Sequence, residues 1–252
     1  MSNDIHPTAM VSKEANLGDG NLIGPFAIIE EGVVIGQGNC FAAHCLVRRG
    51  VTIGDHNMVC EHSVLGSTSR EELMAEPRSI FMGNSNILRE GVRVCGGSEG
   101  THIGNGNYLM AYVQVSSDCQ LSNEIVMANN VILGKQVHVG NKAFISGGVV
   151  INESSHVGRL AMVGGNSRIK AHVLPYFITD GIPARVRGIN SVGLKRAGFQ
   201  SREIRNLKKA FRILLRSELP LRLAVENLKP TDSPHVQHLL DFTLCHHKNV
   251  HS

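Results

Sequence analysis

Three side chains set eighteen residues apart, Ser117, Lys135 and Glu153, carry the simplest acid–base chemistry in this chain. A carboxylate with a raised pKa takes up protons as a general base, whereas an ammonium beside it keeps it ionised. The plain alternative is a Lys135–Glu153 surface ion pair of little energetic weight. The thirteen histidines follow the same interval in part, His44 with His62 and His138 with His156, and His102 falls in the same phase as the second pair. Stacked histidines raise the question of zinc, for which imidazole is a common ligand. A stacked pair supplies two ligands from one chain, too few for a site, so the expectation is no metal, no cofactor and outward polar ladders. His235, His238, His246, His247 and His251 lie in the C-terminal stretch and read as a frayed surface.

Eighteen is meaningful because it is three times six. An aliphatic or similar residue opens each six-residue step: Ile5, Val11, Leu17, Ile23, Ile29, Ile35, Phe41, Val47, Ile53, Val59 and Leu65. The beat resumes at Met82, Leu88 and Val94, then at Ile103, and holds to Ile169. This is neither the helical nor the strand period. A fixed short repeat is the mark of a solenoid, whose units bury their apolar faces only by stacking. Six residues make one short strand and one tight turn, so three steps close a triangular coil with the openers pointing inward. The spacing predicts a left-handed parallel β-helix of hexapeptide repeats, with glycine and asparagine at corners needing positive φ. Aromatic content of 4% and the absence of Trp suit a thin core.

Beyond about residue 175 the pattern changes to that of helices. Residues 201–217 place Ile204, Leu207, Phe211, Leu214 and Leu215 on one stripe. A second helix is expected from Pro220, and a third from Ser233-Pro234 with Val236, Leu239, Leu240 and Leu244 on its apolar side. The expected domains are therefore a β-helix over 1–185 and a C-terminal helical domain over 186–252, capping the open end of the stack. The polar N-terminus and the lack of any apolar run near the roughly 18 residues of a membrane span predict a cytoplasmic protein. Six cysteines without a paired motif read as small buried fillers in a reducing compartment.

The net charge of +4 is concentrated: eleven Lys and Arg fall between Arg185 and Arg222, against Glu203 and Glu218. This is either a solvated helix face or a docking patch for an acidic partner. Nucleic acid is not expected, since no binding motif accompanies the charge. Two interruptions of the beat, residues 67–81 and 95–102, are polar and predicted to be loops thrown out at corners.

Ile5-His6-Pro7-Thr8-Ala9, Ile23-Gly24-Pro25-Phe26, Met127-Ala128-Asn129-Asn130, Met162-Val163-Gly164-Gly165 and above all Gly193-Leu194-Lys195-Arg196-Ala197-Gly198-Phe199 resemble the acyl-ACP:UDP-N-acetylglucosamine O-acyltransferases. The similarity runs nearly end to end. It implies a homotrimer with sites in the clefts between solenoids, where a 3-hydroxyacyl chain passes from acyl carrier protein to the hydroxyl of a UDP-amino sugar in lipid A synthesis. It further implies that Asp118 supports the base, Gly165 floors the acyl slot, Asn190 helps hold the nucleotide, and Arg196, flanked by Lys195, reaches a substrate phosphate.

The resemblance fails where the chemistry should be. The family's His-x-x-His-Asp-Cys segment reads Gln114-Val115-Ser116-Ser117-Asp118-Cys119, with Ser117 at the place of the catalytic histidine. The family's Gly-His, whose glycine amide serves the oxyanion, aligns with Lys135-Gln136. A His-Gln pair becomes Asn152-Glu153, and an acidic nucleotide contact becomes Val192. Loss of a positioned general base costs about 10²–10⁴ in rate. Either Glu153, another histidine or a more nucleophilic amine acceptor compensates, or the chain is a silent homologue that binds without turnover.

Overall fold

The structure is a computed structural model that describes residues 2–67, 79–217, 219–228 and 232–246. Residues 68–78, which make up most of the first interruption, and Glu218, His247 and His251 lie outside the described residues.

Strands of mostly two residues alternate with tight corners, and the coils build three sheets of 11, 9 and 8 strands among the described residues, parallel except for the last pair of the first. Within a strand the first residue faces out and the opener faces in, as the pleat requires. Residues eighteen apart pair directly, as in Val115↔Leu133↔Ile151, and the register survives both interruptions. Every opener from Ile23 to Ile169 is buried, forming three inward columns. Ile5, in the first strand of the stack, is 41% exposed.

Two expectations need correction. Left-handed corners are not confined to glycine and asparagine: Phe26, His44, His62, Asp118, Gln136, Lys142 and Leu160 all adopt φ near 60°. The surrounding coils over-determine this conformation. His44, Gln136 and Leu160 each donate their amide to a carbonyl of the preceding coil, at 3.1, 3.0 and 2.9 Å. The core also admits one large ring, Phe41, which is fully buried.

A polar file runs beside the apolar columns. Asn21, Asn39, Asn57, Asn86 and Asn107 are each 1% exposed or less. The Oδ1 of each of the first four accepts both the backbone amide and the side-chain amide of the next, at 2.8–3.0 Å. The file ends where Ile125 N–H donates to Asn107 Oδ1 at 2.9 Å.

The solenoid closes with an antiparallel hairpin, Phe177–Gly181 with Ala184–Ile189. Four helices follow: α1 (Ser191–Arg196), α2 (Ser201–Leu215), α3 (Leu221–Leu228) and α4 (Pro234–His246). A capping box of Gln200 and Glu203 starts α2, and Asn190 accepts the Gly193 amide at 3.0 Å to start α1. Ile204, Leu207, Ala210 and Leu214 bury the face of α2 against Leu160, Leu174, Tyr176 and Phe177. In α4 the buried set is Val236, Leu239, Leu240 and Thr243, whereas Leu244 is 46% exposed, contrary to expectation. Thr243 is tolerated inside because its hydroxyl donates to the Leu239 carbonyl at 2.7 Å. Cys45, Cys60 and Cys119 are buried fillers, but Cys245 is exposed.

Candidate functional site

Residues 117, 135 and 153 sit one above another at the corner between the second and third sheets, because the strands before them are in register. Lys135 and Glu153 are exposed, yet no ion pair within 4.0 Å joins them among the described residues. Gly134 gives the corner its tightness: a Cβ there would stand 2.5 Å from the Glu153 amide nitrogen. Ser117 differs from both neighbours above it, being only 4% exposed.

The cover comes from the second interruption. Asp118 Oδ1 accepts the Glu99 amide at 2.9 Å, and Asp118 N–H donates to Thr101 Oγ1 at 2.9 Å, whose hydroxyl in turn donates to the Cys95 carbonyl at 2.7 Å. Gly97 packs flat on the same carboxylate. Residues 95–101 are thus a short strap folded over the 117–118 corner. The segment is a loop, as its composition predicts, and Gly97, Glu99 and Thr101 are partners of Asp118 that the sequence does not single out. The one signal was the glycine-rich composition of the interruption.

Beside the corner opens a groove of about 520 Å³ lined by Glu99, Asp118, Gln120, Gln136, His138, Ser154 and His156. Gln136 bonds Ser154 through its side chain at 3.3 Å. Burial pushes the His138 pKa below its usual value. His156 is pushed down to about 4 by burial first and then by its neighbours His138, His246 and His172. Both imidazoles are therefore neutral at pH 7 and able to accept a proton.

The remaining candidates do not all lie at this corner: Gly165 follows Val163 at the corner between the first and second sheets, and Asn190, Lys195 and Arg196 belong to the first helix of the cap. Gln114 lies exposed on the outer face of the preceding strand, and Asn152 is half-buried before Glu153. At Gly165 an added Cβ would stand 3.5 Å from the Gly147 carbonyl oxygen and 3.9 Å from the Ser146 Cβ, ordinary van der Waals contact. Asn190 is 6% exposed and fully engaged, its side chain donating to the Leu160 carbonyl at 2.9 Å and accepting the Gly193 amide. Lys195 and Arg196 are exposed in the last turn of α1, where cations suit the helix dipole. Arg202, Arg205, Lys208, Lys209 and Arg212 continue the basic surface along α2.

The histidine ladders form as expected: His44 and His62 stack at 5.1 Å, and His138 and His156 at 4.4 Å. The C-terminal histidines that the structure describes are not frayed. His235 Nε2 meets Glu203 Oε1 at 3.0 Å with its ring 4.3 Å from Phe199, His238 lies 5.8 Å edge-on to Tyr176, and His246 packs on His156.

A family model described as UDP N-acetylglucosamine O-acyltransferase, domain 2, matches residues 173–249, and the bacterial transferase hexapeptide model matches residues 14–49. The acyl-[acyl-carrier-protein]–UDP-N-acetylglucosamine O-acyltransferase of Gloeothece citriformis is 43% identical over 167 residues, 65% of this chain and 60% of that protein. The enzyme of the same name from Stenotrophomonas maltophilia is 40% identical over 247 residues, 94% of each chain. The chain belongs to the UDP-N-acetylglucosamine O-acyltransferase family. A UDP-N-acetylglucosamine acyltransferase from Bacteroides fragilis superposes on it with a TM-score of 0.92, at 30% identity, covering 95% of this chain and 96% of that one. In this member of the UDP-N-acetylglucosamine O-acyltransferase family the corner carries a strapped serine at 117 with an exposed lysine and glutamate stacked beyond it.

Proposed function

We propose that this protein is an acyltransferase that moves a 3-hydroxyacyl group from acyl carrier protein to a UDP-amino sugar, using a proton acceptor other than a residue at position 117. The observation that carries this reading is the end-to-end match to acyl-[acyl-carrier-protein]–UDP-N-acetylglucosamine O-acyltransferases. The reaction attaches the acyl carbonyl carbon to the acceptor oxygen or nitrogen, releases the carrier thiol, and requires that one proton leave the acceptor. Ser117 is unsuited to take it, since a serine hydroxyl is itself protonated at neutral pH and this one is covered. Glu153 stands exposed on the same corner, with Lys135 and its amide beneath it, and His138 faces the adjoining groove as a neutral imidazole. Gln114, Gln136 and Asn152 supply polar contacts, Gly165 keeps the acyl path free of a side chain, and Lys195 and Arg196 present positive charge to a phosphate or an acidic carrier.

The cleft requires a trimer. The outer row of the first sheet supports one: Leu22, Cys40, Met58, Ile87, Tyr108, Val126, Phe144 and Met162 follow one another up the prism, an apolar stripe on a monomer's surface. The third sheet's outer row is more polar, Asn16, Val34, Thr52, Phe81, His102, Gln120, His138 and His156, with Val34 and Phe81 its two apolar members. Among the described residues no helix is long and apolar enough to cross a membrane.

Product formation followed by mass spectrometry, with 3-hydroxyacyl carrier proteins and either UDP-N-acetylglucosamine or its 3-amino analogue, tests the proposal. Turnover of one acceptor by the unaltered protein, lost in Glu153→Gln or His138→Gln, bears it out. The second reading, a silent homologue that binds nucleotide sugar or carrier, is favoured by the joint replacement of residues 114, 117, 136 and 152. It predicts UDP-sugar binding without product.

A further inference from the structure

We propose that His156, His172 and His246 form a site for a divalent transition cation of the zinc type, which pins the last helix to the last coils of the solenoid. Three separate elements deliver the ligands: the strand His156–Val157, the segment that follows Arg168–Ile169, and the C-terminal turn of α4. One ring nitrogen from each histidine lies within 4.8 Å of those of the other two. The ring centroids are 4.3 Å apart for His156 and His246, 4.4 Å for His172 and His246, and 5.1 Å for His156 and His172. A tetrahedral ion with Zn–N bonds of about 2.0–2.1 Å holds its nitrogens roughly 3.3 Å apart. Small rotations about the side-chain torsions close that gap.

The donor set selects the ion. Three imidazoles without a carboxylate suit zinc, copper, nickel or cobalt and not calcium or magnesium, which want oxygen. Ligands must be unprotonated, and His156 and His246 meet that condition at neutral pH, because burial disfavours their charged forms. His172 Nδ1 accepts the His156 amide at 3.1 Å, so coordination through that nitrogen exchanges one ordinary hydrogen bond for a metal bond. Phe242 at 4.6 Å from His246 and His138 at 4.4 Å from His156 wall the cluster on two sides. Three protein ligands leave a fourth position for water or an exogenous ligand. The ion joins the last helix to the last coils of the solenoid, so binding stabilises the docked helix by mass action. This inference does not depend on the acyl-transfer reading.

The test uses the full chain, stripped with chelator and dialysed against Zn²⁺, with bound metal counted by mass spectrometry and Co²⁺ used as a visible reporter. The expected result is about one ion per chain, a tetrahedral Co²⁺ spectrum and a melting temperature that rises with added metal. His172→Ala and His246→Gln should each weaken binding by about 10–100-fold or more while leaving the metal-free circular dichroism unchanged. The double variant His247→Ala, His251→Ala should keep the ion. Binding far below one equivalent, retention of full affinity by both cluster variants, or loss in the tail variant would each overturn the proposal.

Discussion

The Asp118 carboxylate lies so close to Gly97 that a Cβ built on the glycine would stand 1.9 Å from Oδ1 and 2.6 Å from the Asp118 amide nitrogen. The strap over the corner therefore depends on a missing side chain as much as on the hydrogen bond from Glu99. Gly97→Ala should displace residues 95–101 and cost about 1–3 kcal/mol, as overpacking does. Denaturant unfolding measures the loss, and faster hydrogen exchange at the Glu99 amide locates it.

Restoring imidazole at the corner separates chemistry from binding. Ser117→His should raise turnover by about 10²–10⁴-fold where no other base serves the pocket, and by less where Glu153 or His138 already takes the proton. It should also lower stability by about 1–3 kcal/mol, because the site is 4% exposed and the strap must yield. Single-turnover rates with acyl carrier protein check the first statement, and thermal melts the second. An unchanged rate with a shifted melt would mean that position 117 no longer faces acceptor.

The histidine cluster gives the protein an acid-labile end. His156 titrates near 4 when folded against about 6.5 in an unfolded chain, so the unfolded state binds more protons between those values. Stability is therefore full above pH 6.5 and falls as pH drops toward 4, with His138, His172 and His246 facing the charge that forms. Melts from pH 7 to 4 should show this slope in the wild-type chain, and His156→Gln should flatten it.

The apolar stripe on the first sheet should be an oligomer surface. Met58 and Phe144 are 45% and 39% exposed on one chain. The double substitution Met58→Asp, Phe144→Asp should convert a trimer to monomers, read by light scattering at micromolar protein. A wild-type mass equal to one chain would remove the intersubunit cleft from consideration.

The solenoid was legible because its rule is local: one inward residue per six recurs from Ile23 to Ile169 with only two interruptions, and each coil repeats the last. The helical cap was less so. Thr243 is inside and Leu244 outside because packing against Tyr176 and α2 fixes the rotation of α4, which no periodicity of α4 alone determines. The site was half legible. The stacking of Ser117, Lys135 and Glu153 follows from counting, but the burial of Ser117 does not, since it depends on a strap held by backbone amides. His246 meets His156 and His172 only through the docking of α4, and His172 reaches His156 at a separation of 16 rather than 18, so the regular spacing does not join them.

The asparagine file passes both interruptions without losing its partners: Asn86 still donates to Asn57 Oδ1 across a separation of 29 residues, and Asn107 to Asn86 across 21. The file thereby acts as a phase lock. Each coil is seated on the one before it by contacts that ignore how much chain was spent between them. Segments such as 67–81 and 95–102 can therefore lengthen, shorten or change composition over generations while the rungs above keep their alignment. A scaffold of this kind can rewrite its corners one loop at a time, and the strapped corner at 117 is the sort of corner it permits.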